Sequence, residues 1–197
     1  MTDEAITPGE PLVGWRLWKA KNGKLHSWAV DHVWQPGHNN AVCLSDPPYR
    51  CSQSPGTSCK CGYWGLYSPR AAVAIARGTM STEVVMGLLV GYGIVALHGN
   101  EGFRAERAIV KCLFSDELTA APIERLWQGL HRRFGRAQMD DSNDVLTRRT
   151  RELNPVAADY AVPLVSLRGA LSLGLLRELG VQGDSIRELQ GWLNEER

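Results

Sequence analysis

The stretch VVMGLLVGYGIVALHGNEGFRAERAIVKCLF, residues 84–114, contains the longest apolar run in the 197-residue chain. Residues 84–97 are rich in aliphatic and β-branched side chains, which is typical of a strand. The polar segment HGNEG that follows predicts a turn, and residues 103–114 predict a returning strand. Three glycines in the first strand indicate that it bends or that other backbone approaches it closely. We therefore predict a β-hairpin over this stretch.

The same apolar run is shorter than the roughly 20 residues that an α-helix needs to cross a bilayer. The N-terminal segment MTDEAITPGEP, residues 1–11, is acidic and polar, and it lacks the basic start and apolar stretch of a secretory signal. The formal net charge of +1 produces no overall attraction to nucleic acid or membrane. We therefore expect a cytoplasmic protein without a membrane partner.

A second hairpin is predicted upstream, over residues 14–30. The Asn-Gly pair at 22–23 tolerates the positive φ angles of a type I′ turn, and aromatic and β-branched residues flank it. Between the two hairpins a short helix is predicted, because Ser68 suits the N-cap, Pro69 the first helical position and Gly78 the end.

Four of the five cysteines lie in the segment CLSDPPYRCSQSPGTSCKCGYWG, residues 43–65. In a reducing cytoplasm, clustered cysteines are more often metal ligands or catalytic groups than disulfides. Four thiolates satisfy the tetrahedral preference of Zn²⁺, and metal ligation would hold a loop that has few apolar residues for a core of its own. We therefore predict a closed, structural zinc site formed by Cys43, Cys51, Cys59 and Cys61.

Several alternatives remain open for this segment. The spacing differs from the two C-x₂-C knuckles of a zinc ribbon, so the pattern alone is only partly specific. The pair Cys59-x-Cys61 is the firmest part of the site, and Cys51 is the ligand most open to replacement by His38 or His26. Disulfides, a reactive thiol centre and free buried cysteines are the competing interpretations.

The chain after residue 115 has helical periodicity. We predict helices over residues 121–135, 144–154, 168–180 and 184–197, with an extended segment at 159–167. The second of these helices is expected to stop before Pro155. Ser185 and Glu188 have the spacing of a capping box at the start of the last helix.

The predicted fold class is α+β. A β-rich N-terminal half, with hairpins around the zinc loop, is followed by a mostly helical C-terminal half, and the alternation of a doubly wound parallel sheet is absent. We divide the chain into a flexible tail at 1–11, a β-rich zinc-loop region at 12–115 and a mainly helical region at 116–197. The last two regions are compatible with one continuous domain.

A candidate binding surface combines polar residues of the long hairpin with tryptophans from the first third of the chain. Its members are His98, Arg104, Glu106, Trp34 and Trp64. The simpler interpretation is a solvated turn with cross-strand ion pairs, and strand core for the tryptophans. His98 and Glu106 are also the pair that an enzyme would use as acid and base. The sequence lacks a nucleotide-binding glycine loop, a nucleophile elbow and an H-E-x-x-H motif, so we favour a binding protein over an enzyme.

Arginine is dense between Arg125 and Arg151, where seven arginines accompany three aspartates. Such a segment could contact phosphates, which makes nucleic-acid binding an alternative function. The simpler interpretation is the solvated side of two amphipathic helices.

Several short motifs occur in a distinctive order: WQPG at 34–37, AVC at 41–43, CKCGYWGLY at 59–67 and GIVALHGNEGFRAERA at 93–108. In these motifs, together with a weaker DYAVPLV at 159–165, the chain resembles a group of uncharacterised proteins from actinobacteria and their phages. The resemblance implies that the four cysteines act as a set, with Cys51 at a position where the group often has His. It implies a site but no activity.

These observations favour a zinc-stabilised binding or adaptor module. A regulatory role and a phage origin are further expectations. The expected partner is another protein, with nucleic acid second. Zn²⁺ is the expected cofactor.

Overall fold

The computed structural model describes residues 4–6, 10–56, 59–77, 83–116 and 141–195. Their strands are β1 (Glu4–Ile6), β2 (Leu12–Lys21), β3 (Lys24–Ser27), β4 (Asn39–Asn40), β5 (Tyr63–Leu66), β6 (Val84–His98), β7 (Gly102–Phe114) and β8 (Leu164–Val165). Their helices are α1 (Pro69–Arg77), α2 (Asp141–Asp159), α3 (Leu167–Ser172), α4 (Leu175–Glu178) and α5 (Gly183–Glu195). The predicted α+β class is confirmed. Among the described helices, none is both long and apolar enough to span a bilayer.

The strands form one sheet in which four of them close into a ring. Strand β6 pairs with β2 on one side and with β7 on the other, and β5 pairs with both β2 and β7. Strand β1 extends the sheet from β6, β3 from β2, and both β4 and β8 from β7. The β7–β8 pair is parallel, and the other pairs between these strands are antiparallel.

Both predicted hairpins are confirmed. The stretch 84–114 forms β6 and β7, and in the turn between them the N–H of Glu101 donates to the carbonyl of His98 at 3.0 Å. Strands β2 and β3 meet at Asn22 and Gly23, whose φ angles of 51° and 74° are those a type I′ turn requires.

Phe103 occupies the space enclosed by the ring of strands. Its side chain is fully buried. A Cβ atom added at Gly14 of β2, Gly65 of β5 or Gly91 of β6 would come too close to its aromatic ring. The close approach predicted for the glycines of β6 is made at Gly91 by this side chain. At Gly87 it is made by backbone, since a Cβ there would meet the carbonyl oxygen of Cys112.

Two hydrophobic clusters lie on the two faces of the sheet. Along β2, Trp15 and Leu17 belong to one cluster and Trp18 to the other, as expected for side chains that alternate along a strand. Helices α3, α4 and α5 contribute to the first cluster, and α2 contributes to the second. The strands and the C-terminal helices thus share both cores.

The stop predicted before Pro155 is wrong, because α2 runs from Asp141 to Asp159 through that proline. A proline inside a helix removes a backbone hydrogen bond and costs about 3 kcal/mol. Immediately after it, Val156 is buried in the core, and the hydroxyl of Tyr160 donates to the carbonyl of Trp34 at 2.6 Å. Tertiary packing of the last turn therefore outweighs the local preference.

The capping box predicted from Ser185 and Glu188 is also wrong, since α5 begins at Gly183. Both side chains instead make long-range contacts. Ser185 Oγ accepts a hydrogen bond of 2.6 Å from Trp15 Nε1, and Glu188 accepts one of 2.7 Å from the hydroxyl of Ser68. Ser68 also caps α1 as predicted, because its Oγ accepts a hydrogen bond of 3.0 Å from the N–H of Ala71.

Other segments differ from their predicted form. The helix predicted over 168–180 is divided into α3 and α4 around Gly174, whose φ of 69° is left-handed. Residues 4–6 lie within the segment predicted as a flexible tail, and they pair with β6 as β1. The helix predicted over 121–135 lies outside the described residues.

Candidate metal centre

The cysteine loop, residues 41–62, is anchored at both ends on the same strand. Before the loop, β4 pairs with β7 at Ala108 and Arg107, and the N–H of Ala41 donates to the carbonyl of Glu106 at 2.7 Å. After the loop, β5 pairs with residues 102–105 of β7. Because the two anchors are adjacent along β7, the loop must fold back on itself.

This folding brings the four predicted ligands together. The sulfur atoms of Cys43, Cys51, Cys59 and Cys61 all lie within 4.8 Å of one another, and no disulfide joins them. The distance between the sulfurs of Cys43 and Cys59 is 3.6 Å. Tetrahedral Zn²⁺ with Zn–S bonds of about 2.3 Å places its sulfurs roughly 3.8 Å apart. The donor set and its dimensions therefore fit a zinc ion bound by four thiolates.

Backbone N–H groups of the loop point at the sulfurs. The N–H of Cys51 donates to the sulfur of Cys43 at 3.4 Å, that of Gly56 to Cys61 at 3.2 Å, and that of Cys61 to Cys59 at 3.3 Å. Such bonds favour the charged thiolate, which is the form that binds a metal.

The pKa values of three cysteines of the loop are shifted, in different directions. The Cys51 N–H, followed by Ser45, lowers the pKa of Cys43 to about 6. Burial acts to raise the pKa of Cys59, but donors that include the Cys61 N–H and Ser45 bring it below its usual value. Burial, followed by bonds to neighbouring thiols, raises the pKa of Cys51 to about 12. Without a metal, Cys51 is thus the thiol hardest to ionise of these three.

Gly56 leaves space for the cluster. A Cβ atom at this position would collide with the sulfur of Cys51 and lie 3.0 Å from its Cβ. Any larger residue would therefore displace a ligand. The sequence does not reveal this role, because nothing in the cysteine spacing indicates which sulfur Gly56 faces.

Arg104 lies directly beneath the loop. Its side chain is fully buried, and its Nη1 donates to the carbonyls of Cys59, Cys61 and Gly56. Its Nε donates to Nε2 of His98 at 2.7 Å. The sequence had placed Arg104 on a surface, whereas its position in β7 directs it inward.

The other residues of the predicted binding surface do not all lie together in the structure. Trp64 is half-buried and stacks on His98, with ring centroids 4.5 Å apart. Trp34 is fully buried in the core, where it packs edge-on against Trp18. Glu106 accepts from the N–H of Ile94 at 3.1 Å. His98, Arg104 and Trp64 are thus brought together beside the cysteine loop, whereas Trp34 is part of the core.

The histidines proposed as substitute ligands lie elsewhere. His38 hydrogen-bonds the hydroxyl of Tyr92 through Nδ1, and His26 lies in β3, bridged to Val33. The sulfur cluster is formed by the four cysteines without them.

Only the end of the arginine-rich segment is described. Arg148 is exposed and pairs with Glu152 at 3.0 Å, and Arg149 is buried and donates to the carbonyl of Val84. Arg151 is exposed. The remaining arginines, from Arg125 to Arg136, lie outside the described residues.

Three large apolar side chains of the loop are exposed, a feature that sequence reasoning missed. Val42 is 69% exposed, Leu44 is 60% exposed and Tyr49 is 79% exposed. Two of them directly flank Cys43. The sequence shows that these residues are apolar, but only the folded loop shows that their side chains face solvent.

Comparison with known proteins finds no relative. No protein-family model matches the sequence, and no curated protein or solved structure matches at a significant level. The resemblance to proteins of actinobacteria and their phages stays a prediction.

Proposed function

We propose that this protein is a zinc-stabilised binding module that recruits a protein partner in a regulatory role, encoded by an actinobacterium or one of its phages. The observation that carries the proposal is the convergence of four cysteine sulfurs within 4.8 Å, in a loop that exposes apolar side chains. The metal maintains the loop, and the loop presents the binding surface.

The first part of the proposal concerns the metal. The loop has three large apolar side chains directed at solvent instead of into a core, so ligation supplies the free energy that orders it. Elemental analysis of the purified protein should find one zinc ion per chain. A preparation with reduced cysteines and no bound metal after incubation with zinc would contradict this part.

The second part concerns the three exposed side chains Val42, Leu44 and Tyr49, which together we call the loop surface. Exposed apolar side chains grouped on one segment are typical of protein-binding sites, and tyrosine is enriched in such interfaces. The partner is therefore expected to be a protein with a complementary apolar segment.

Affinity capture from a bacterial host with three matched baits tests this surface. The baits are the wild type, the triple variant V42S/L44S/Y49S, and L173S, which changes a residue 72% exposed between α3 and α4. We expect a partner protein to bind the wild type and L173S. The triple variant should no longer bind that partner, although the variant retains its zinc. Equal capture by all three baits would remove the loop surface from the proposal.

A further inference from the structure

Arg104 binds backbone carbonyls of the cysteine loop, at residues whose N–H groups also contact the sulfurs. Gly56 donates its N–H to the sulfur of Cys61 while its carbonyl accepts from Arg104 at 3.4 Å. Cys61 donates its N–H to the sulfur of Cys59 while its carbonyl accepts from Arg104 at 3.1 Å. The same residues therefore direct their N–H groups toward the sulfurs and their carbonyls toward one guanidinium.

Charge reinforces this arrangement. A Zn²⁺ ion bound by four thiolates is a net anion, and burying an uncompensated anion is costly. Arg104 supplies a positive charge that is fully buried beneath the loop. The planar guanidinium group binds several carbonyls at once.

Two side chains hold the guanidinium in place. Its Nε donates to His98 Nε2, which requires a neutral imidazole whose proton is on Nδ1. The ring of Trp64 lies 5.6 Å from the guanidinium carbon and stacks on His98 at 4.5 Å. These two contacts orient the Arg104 guanidinium.

We propose that Arg104 is a positioning residue of the metal centre: through the carbonyls of Gly56, Cys59 and Cys61 it orients backbone whose N–H groups stabilise the thiolates, and it offsets their charge. This inference rests on the proposed zinc site and adds a residue that binds no metal itself. Residues that orient metal ligands typically change metal affinity by about 10–100-fold when removed.

The test compares R104M, which removes charge and hydrogen bonds, with R104K, which keeps the charge but cannot bind several carbonyls in a plane. R107M is the matched control, because Arg107 is on the same strand with its side chain 51% exposed. Zinc affinity is measured by competition with a chromophoric chelator. The d–d absorption of bound Co²⁺ reports the geometry of the site independently of protein stability.

We expect R104M to bind zinc about 10–100-fold more weakly and to show an altered Co²⁺ spectrum. R104K should fall between R104M and the wild type, and R107M should match the wild type. Wild-type affinity and spectrum in R104M would overturn the proposal. Full recovery in R104K would overturn the role of the carbonyl contacts, and no recovery would overturn the role of charge.

If R104M does not fold, R104K and H98F decide the question. H98F keeps a ring beside Trp64 but removes the nitrogen that accepts from Arg104, and we expect a weaker effect in the same direction. Unchanged metal binding in both variants would overturn the positioning role while leaving the zinc site intact. Failure of the wild-type protein to bind zinc would instead overturn the proposed function together with this inference.

Discussion

The indole Nε1 of Trp15 donates a hydrogen bond of 2.6 Å to the hydroxyl of Ser185, although the two residues are 170 positions apart. Trp15 lies in β2 and Ser185 in α5, and both side chains are buried. Together with the shared hydrophobic clusters, this bond connects the β-rich region directly to the last helix.

Replacement of Ser185 by alanine tests this connection. The change leaves a buried indole N–H without its acceptor, which typically costs about 1–3 kcal/mol of the free energy of unfolding. Chemical denaturation of the zinc-bound protein measures the effect. S172A is the control, because Ser172 is exposed and bonds only within its own helix, and it should change stability by less than about 0.5 kcal/mol.

Replacement of Pro155, in contrast to that of Ser185, is expected to stabilise the protein. P155A should increase the free energy of unfolding by about 1–3 kcal/mol, because alanine is a better helix former by about 3 kcal/mol and some strain is already relieved by packing. N154A, at the neighbouring exposed position of α2, should add less than about 0.7 kcal/mol. A destabilised P155A variant would indicate that the proline is required by its tertiary contacts.

Gly56 should be the glycine at which zinc binding is most sensitive to an added methyl group. Because the Cβ atom of alanine would meet the sulfur of Cys51, we expect G56A to weaken zinc affinity by roughly tenfold or more. Competition with a chelator measures the change. G191A is the control, since a Cβ at that helical position meets nothing within 4 Å. Equal affinities in the two variants would contradict this geometry.

The metal-free protein should contain a thiolate that forms at unusually low pH. The N–H of Cys51 and Ser45 lower the pKa of Cys43 to about 6, below the ordinary value of about 8.5. Ultraviolet absorbance during a pH titration should therefore show ionisation in this range. The low-pH transition should shrink in C43S, whereas C112S should leave it unchanged, because burial raises the pKa of Cys112 to about 12.

The low pKa of Cys43 makes the stability of the metal-free protein depend on pH. Because the pKa of Cys43 is lower in the folded state, its contribution is complete above the ordinary thiol pKa and is lost as the pH falls through about 6. Cys51, whose pKa is raised to about 12, destabilises the folded metal-free protein as the pH rises above the ordinary thiol pKa. Denaturation midpoints of wild type and C43S should therefore converge as the pH is lowered below 6. Constant separation between them would contradict the assignment to Cys43.

Local sequence patterns predicted several elements of this protein, because the preferences that form those elements belong to residues close together in the sequence. The Asn-Gly pair at 22–23 favours positive φ angles in any context, and the hydrophobic run at 84–97 favours a strand. The four cysteines were recognisable as a candidate ligand set, since four thiolates satisfy the tetrahedral preference of Zn²⁺ and ligation can hold a loop without a core of its own.

Other features depended on contacts between distant residues. Helix α2 continues through Pro155 because Tyr160 packs against Trp34, more than 100 residues earlier in the chain. Ser185 bonds to Trp15 instead of capping its own helix, and Arg104 lies beneath the cysteine loop because the loop is anchored on β7. None of these partners is close in sequence, so no local pattern could identify them.

The chain's residue types and turn signals were sufficient to predict an α+β protein whose loop carries four cysteines that could hold a metal ion. The order of the strands around Phe103, the inward direction of Arg104 and the solvent exposure of Val42, Leu44 and Tyr49 follow from long-range packing. The physical reason is that burial and hydrogen-bond partners are properties of the folded chain as a whole, whereas backbone propensities and metal-ligand chemistry belong to individual residues.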